Sequence, residues 1–126
     1  MPQIHSVASA YNFDETVKRL QQVVQQKGMR IFAVIDHQAA AQAEGLSMQP
    51  ATVLVFGAPK AGTPLMLKDP TIALQLPLKV LITEIDSSVQ VVFNDTYSII
   101  EGSSVSFAEV EHTLAGVEKL IRNAVA

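Results

Sequence analysis

The side chains with chemical potential fall in two short stretches. The first is Asp36-His37, where a carboxylate able to cap a helix stands beside an imidazole able to serve as base or ligand. The second is Phe56-Gly57-Ala58-Pro59-Lys60-Ala61-Gly62-Thr63-Pro64-Leu65-Met66, which holds a lone lysine and two of the six glycines and two of the six prolines of the chain. It follows the apolar run Val53-Leu54-Val55-Phe56, so a buried strand delivers the chain into a loop, a usual place to present a site. His37, Lys60, Thr63 and Met66 are therefore the candidate ligand-binding residues. Lys60 and Thr63 would meet a polar or anionic group, while Met66, with Met29, Met48 and Phe93, offers adaptable apolar surface. Two readings of the loop stay open. It is a pocket wall, or else Gly57 and Gly62 supply backbone angles closed to other residues while the prolines stiffen it.

Other chemistries are poorly served. A phosphate-binding loop needs G-x-x-x-x-G-K-[ST] running into a helix, so that backbone N–H groups converge on the phosphate. Here Lys60 precedes Gly62, and Pro59 and Pro64 remove two backbone donors. The chain has no cysteine, which excludes thiol catalysis, cysteine-ligated zinc and disulfides. His5, His37 and His112 share no metal-ligand spacing and no Asp/Glu cluster stands out, so no metal site is expected. Asn94-Asp95 reads as a turn, Glu109 as a capping partner, and Ser103, Ser104 and Ser106 lack a nucleophile elbow. These residues name no cofactor.

Charge narrows the partners. The net charge is −3, and the 9 Lys+Arg are spread thinly, without the dense basic stripe that nucleic-acid binding requires. Charged residues make up 17% and hydrophobic ones 48%; an ordinary soluble domain carries about 25% charged residues. So few charges predict that some surface is covered by a second copy, and a homodimer is expected. No apolar run approaches the ~20 residues that span a bilayer. Met1-Pro2-Gln3-Ile4-His5-Ser6 does not read as a signal peptide. A cytoplasmic protein with no membrane partner is the expectation.

The elements that must position these residues follow from periodicity and punctuation. The 126 residues predict one domain, 1–126. Ile4 to Ala10 reads as a strand. Asn12 is an N-cap with Glu15 three residues on, and Phe13, Val17, Leu20 and Val24 mark one helix face that stops at Gly28. Arg30–Ile35 is a strand, His37–Glu44 a short helix capped by Asp36, and Ala51–Phe56 a third strand. Leu78–Ile85 and Val89–Phe93 form a hairpin about Asp86-Ser87-Ser88. Ser106 caps a last helix, to Val125, with the stripe Phe107, Val110, Leu114, Val117 and Ile121. The order predicts an α+β fold: a mostly antiparallel sheet with the Asn12–Lys27 and Ser106–Val125 helices packed on one face.

Asp36-His37, Phe56-Gly57-x-Pro59, Gly62-Thr63-x-Leu65-Met66 and Leu76-Pro77-Leu78-Lys79, in that order, resemble the domain of unknown function 302 family. The resemblance runs from the first helix to Phe93. It implies a TATA-binding-protein-like β-α-β(4)-α layout and brings no established activity. Ala58 stands where members usually have Asn, Gln75 where they have Asp, and Glu101-Gly102 where many have an Arg-His pair.

The reading that results is a small-molecule-binding module, non-enzymatic and homodimeric. The residues also admit an enzyme using His37 and Lys60 as a polar pair, or a purely structural dimeric domain, so whether the protein is an enzyme is left open here.

Overall fold

A computed structural model describes residues 3–126. Strand β1 (Ile4–Ala8) leads to helix α1 (Phe13–Gln26), β2 (Arg30–Asp36), α2 (His37–Ala43), β3 (Ala51–Gly57) and α3 (Pro59–Lys68). A 3₁₀ helix (Pro70–Gln75) precedes β4 (Leu78–Ile85) and β5 (Ser88–Asn94), followed by α4 (Thr96–Ile100), α5 (Phe107–Val110) and α6 (Leu114–Ala124). The five strands form one antiparallel sheet in the order β1-β5-β4-β3-β2. This is the expected β-α-β(4)-α layout of an α+β fold.

Alternation along the strands sorts the side chains. Leu54 and Phe56 of β3, Val80 and Ile82 of β4, and Val91 and Phe93 of β5 are buried together with Leu20 and Val24 of α1 and Leu114 and Ile121 of α6. Each such side chain contributes roughly 1.5–3 kcal/mol on burial, so this layer between sheet and helices dominates stability. Alternate residues point the other way: Val53, Val55, Leu81 and Val92 are half-buried on the second face, and Ile35 is exposed there.

Local signals hold where they are local. The Asn12 side chain accepts from Glu15 N–H at 2.8 Å and Asp36 from Ala39 N–H at 2.9 Å, so both caps form as expected. Gly28 takes φ +78°, the left-handed stop of α1. Thr16, fully buried in α1, shares a 2.7 Å hydrogen bond with the Ser9 hydroxyl and donates to the Asn12 carbonyl. The hairpin turns on Asp86 (φ 51°) and Ser87 (φ 67°), two positive angles in succession between the paired Ile85 and Ser88, the geometry whose twist matches the flanking strands.

The predicted loop is different. Pro59–Lys68 is a helix with Pro59 in its first turn, where a missing N–H costs nothing. Pro64 lies inside it and removes only the bond to the Lys60 carbonyl. Ala61 and Gly62 N–H both reach the Ala58 carbonyl at 2.9 Å, and the buried Leu65 anchors the helix to the core. Tertiary burial thus outweighs the proline. Gly57 and Gly62 do not adopt left-handed angles; the positive-φ glycines are Gly28, Gly45 and Gly102. The expected last helix is also interrupted between α5 and α6, with Thr113 at φ −113°, ψ −91°. Its apolar stripe stays in phase across the break, since Val110 and Leu114 are both buried. Asn94-Asp95 proves to be the entry to α4, with Asp95 as its N-cap.

Candidate functional site

A cleft of about 720 Å³ opens where the end of β3 and α3 face α6. The α1–β2 turn gives it Met29, and β2 gives Phe32, which sits at a bulge between Ile31 and Ala33. A bulge adds one residue to its strand and re-aims that side chain, and Phe32 is accordingly 47% exposed. The β3–α3 corner gives Gly57, Ala58, Gly62, Thr63 and Met66, and the approach to β4 gives Leu76 and Pro77. Leu114, Val117 and Leu120 of α6 form the facing wall.

The glycines shape this wall. A Cβ on Gly57 would stand 3.5 Å from Pro77 Cβ, and one on Gly62 would stand 3.6 Å from Leu76 Cδ1 and 3.8 Å from Met66 Cε. These are ordinary contacts, so both positions have room for a methyl group that would occupy cleft volume. Polar groups sit among the apolar ones: Lys27, Thr63, His112, Lys119 and Asn123. Two of them are lysines, and no carboxylate is among the described lining residues. The cleft therefore offers an apolar body with positive charge.

The structure brings together only part of the predicted set. Thr63 and Met66 line the cleft, whereas Lys60, exposed on the neighbouring turn of α3, does not. His37 is far away. β2 and β3 pair antiparallel, Arg30 with Gly57 and Asp36 with Thr52, so the Asp36-His37 turn lies at the opposite end of β3, about 20 Å off at the rise of a strand. His37 is an exposed first-turn residue of α2. His37 and Lys60 consequently share no site. No local motif marks Lys27, Phe32, Lys119 and Leu120, because the fold brings them together from the α1–β2 turn, β2 and α6.

Two further polar clusters lie outside the cleft. At the sheet edge His5 Nε2 is 2.8 Å from Asp95 Oδ1 and 3.3 Å from Glu118 Oε1. Beside α5, Lys68 Nζ donates to Glu109 Oε1 at 2.6 Å, and Glu109 Oε2 accepts from Ser106 N–H at 2.6 Å. The Lys68 ammonium first, then the Ser106 amide, lower the Glu109 carboxyl to about 2. Asp69 accepts from the Thr71 hydroxyl and from Ser104 N–H, and these bonds lower its carboxyl as well. Together the two carboxylates tie the end of α3 to the segment before α5.

An open antiparallel sheet, helices on one face and a cleft at the end of its third strand define a small α+β protein of β-α-β(4)-α layout. The chain matches the family described as Domain of unknown function DUF302 over residues 5–126, and it belongs to that family. Its fold is shared with the crystal structure of an uncharacterized conserved DUF302 protein from Bacillus stearothermophilus, with a TM-score of 0.82 over 99% of this chain and 97% of that one. At 17% identity the likeness is one of fold. Sequence relatives include the fluoride-specific ion channel FluC 1 of Brucella suis biovar 1, 37% identical over 79 residues, or 63% of this chain and 31% of the channel protein. FluC 2 of Brucella melitensis biotype 1 is likewise 37% identical over 79 residues, 63% of this chain and 29% of that protein. The chain thus spans less than a third of the length of these relatives. None of its described helices is long and apolar enough to cross a membrane.

Proposed function

We propose that the protein is a non-enzymatic, homodimeric module that binds a small, largely apolar molecule with an anionic end. One observation carries the reading: an apolar cleft of about 720 Å³ with two lysines and no carboxylate among its described lining residues. That volume falls in the range of roughly 300–1,000 Å³ usual for small-molecule sites, where apolar walls supply affinity and a few polar groups supply orientation. Met66, Leu120 and Phe32 would hold the apolar body, while Lys27, Lys119 and Thr63 would meet the charged or polar end. The fluoride-channel name of the Brucella relatives lends no support to conduction here, because no described helix could serve as a spanning segment.

The test is titration of the purified protein with decanoate and, in parallel, decanol, followed by native mass spectrometry and melting temperature. Decanoate is expected to bind at one molecule per protomer and raise the melting temperature, with decanol weaker. Leu120→Glu, which puts a carboxylate among the lining residues, is expected to abolish decanoate uptake with little change in melting. If neither compound is retained and neither shifts the melting curve, the reading fails.

A further inference from the structure

We propose that His5, Asp95 and Glu118 form a binding site for a divalent first-row transition ion, apart from the cleft. Their donor atoms all lie within 4.8 Å of one another. Metal bonds of ~2.0–2.2 Å to imidazole nitrogen and carboxylate oxygen place neighbouring ligand atoms ~3.0–3.5 Å apart in tetrahedral or octahedral coordination. The observed separations of 2.8 Å for Nε2 to Asp95 Oδ1 and 3.3 Å for Nε2 to Glu118 Oε1 differ from that by a few tenths of an ångström.

The second oxygen of each carboxylate is already held. Asp95 Oδ2 accepts from Tyr97 N–H at 3.0 Å and from Ser98 N–H at 3.4 Å. Glu118 Oε2 accepts from Thr96 N–H at 2.8 Å and from the Thr96 hydroxyl. Such outer contacts orient metal-binding carboxylates and leave one oxygen of each to point inward. His5 is set by its place in β1 opposite Phe93, whose ring centroid lies 5.4 Å from the imidazole. One Nε2 carries at most one hydrogen. It can satisfy Asp95 Oδ1, and among the described residues no other donor reaches Glu118 Oε1. The trio places two carboxylates together on side chains only 8% and 22% exposed, and a divalent cation beside them offsets their charge. The 21% exposure of His5 leaves an edge through which an ion and its waters can enter. A nitrogen and two oxygens suit zinc, cobalt or manganese rather than the softer thiolate-seeking ions.

The experiment uses the full chain stripped of metal by chelation. Calorimetric titration with Zn²⁺ is expected to give one ion per protomer, and proton NMR is expected to shift the His5 imidazole signals while those of His37 and His112 stay in place. Co²⁺ is expected to bring up a visible absorption band that Zn²⁺ removes. Glu118→Gln is expected to abolish both effects, and Thr96→Val, which keeps the side-chain shape, to weaken Zn²⁺ by about tenfold. Absence of uptake at millimolar Zn²⁺ overturns the proposal, leaving His5 as a hydrogen-bond partner of the two carboxylates. So does uptake that shifts His37 or His112 in place of His5. The NMR readout on the unmutated protein decides even if the Glu118 variant fails to fold.

Discussion

Glu109 accepts from Lys68 Nζ and from the amide and hydroxyl of Ser106, and these donors hold its carboxyl at about 2 against an ordinary value of 4.5. A carboxyl lowered in the folded state contributes stability that is complete above its unfolded value and is lost as pH falls toward the folded one. Melting temperature is therefore expected to fall as pH drops from about 4.5 to about 2, with Asp69 adding to the slope in the acid range because its carboxyl is lowered too. Glu109→Gln is expected to flatten the curve in that window, as followed by circular dichroism; an unchanged slope would refute the assignment. Gly62 gives a second residue-scale expectation. Alanine there fits without a clash, and an alanine in a helix interior is favoured over glycine by about 1 kcal/mol. Gly62→Ala should raise stability by up to about that amount while weakening decanoate, because its methyl group intrudes on the cleft. Residues whose roles are local, such as Asn12, Asp36 and Ser106 with Glu109, were legible in the sequence, since caps work over three positions. His5, Asp95 and Glu118 were not, because the hydrogen bond from His5 to Asp95 joins residues 90 positions apart.

Strands, the long helix α1 and the hairpin could be read from period and turn chemistry because their patterns agree with their intrinsic propensities. The Pro59–Lys68 segment could not. Its two prolines and Gly62 argue for a loop, and the burial of Leu65 against the core makes the helix favourable. The same blindness hid the cleft, whose wall is this helix facing α6. The hairpin supplies a test of the opposite kind, where local geometry decides. Ser87 at φ 67° occupies the left-handed region, which costs a residue with a side chain roughly 1–2 kcal/mol, partly offset by the unfolded-state entropy that glycine adds. Ser87→Gly is expected to stabilise the fold by about 0.5–1 kcal/mol in urea unfolding. A loss of stability would mean that the Ser87 side chain makes a contact worth more than the strain it carries.

At the scale of the whole molecule the antiparallel sheet accounts both for the separation of His37 from the cleft and for the surface that remains. β2 and β3 are neighbours in the sheet, but antiparallel pairing sends their C-terminal ends to opposite ends of the strands, and that direction is a property of the chain path rather than of either motif. The face away from the helices carries an unbroken row in register, Ile35 beside Val53, Val53 beside Leu81, and Leu81 beside Val92, closed by Ser6. Lys79, Thr83, Gln90 and Asn94 flank the row on β4 and β5, while Ala51 and Val55 flank it on β3, so the apolar surface extends along β3 and meets polar residues on the side of β4 and β5. Two such sheets packed face to face, ~10 Å apart, would interdigitate these side chains as the layers of a sandwich do. This supports the homodimer proposed above, alongside a charged fraction of 17%. Sedimentation at about 10 μM, well above the dissociation constant of a standard-sized interface, is expected to give twice the monomer mass. Leu81→Lys places a charge at the centre of the row on a side chain that is only half-buried within one subunit. It should therefore yield monomers that still fold and still bind decanoate, since the cleft lies on the other side of the sheet. An unmutated protein that sediments as a monomer, or a Leu81→Lys variant that remains dimeric, would show that the row is simply tolerated in water.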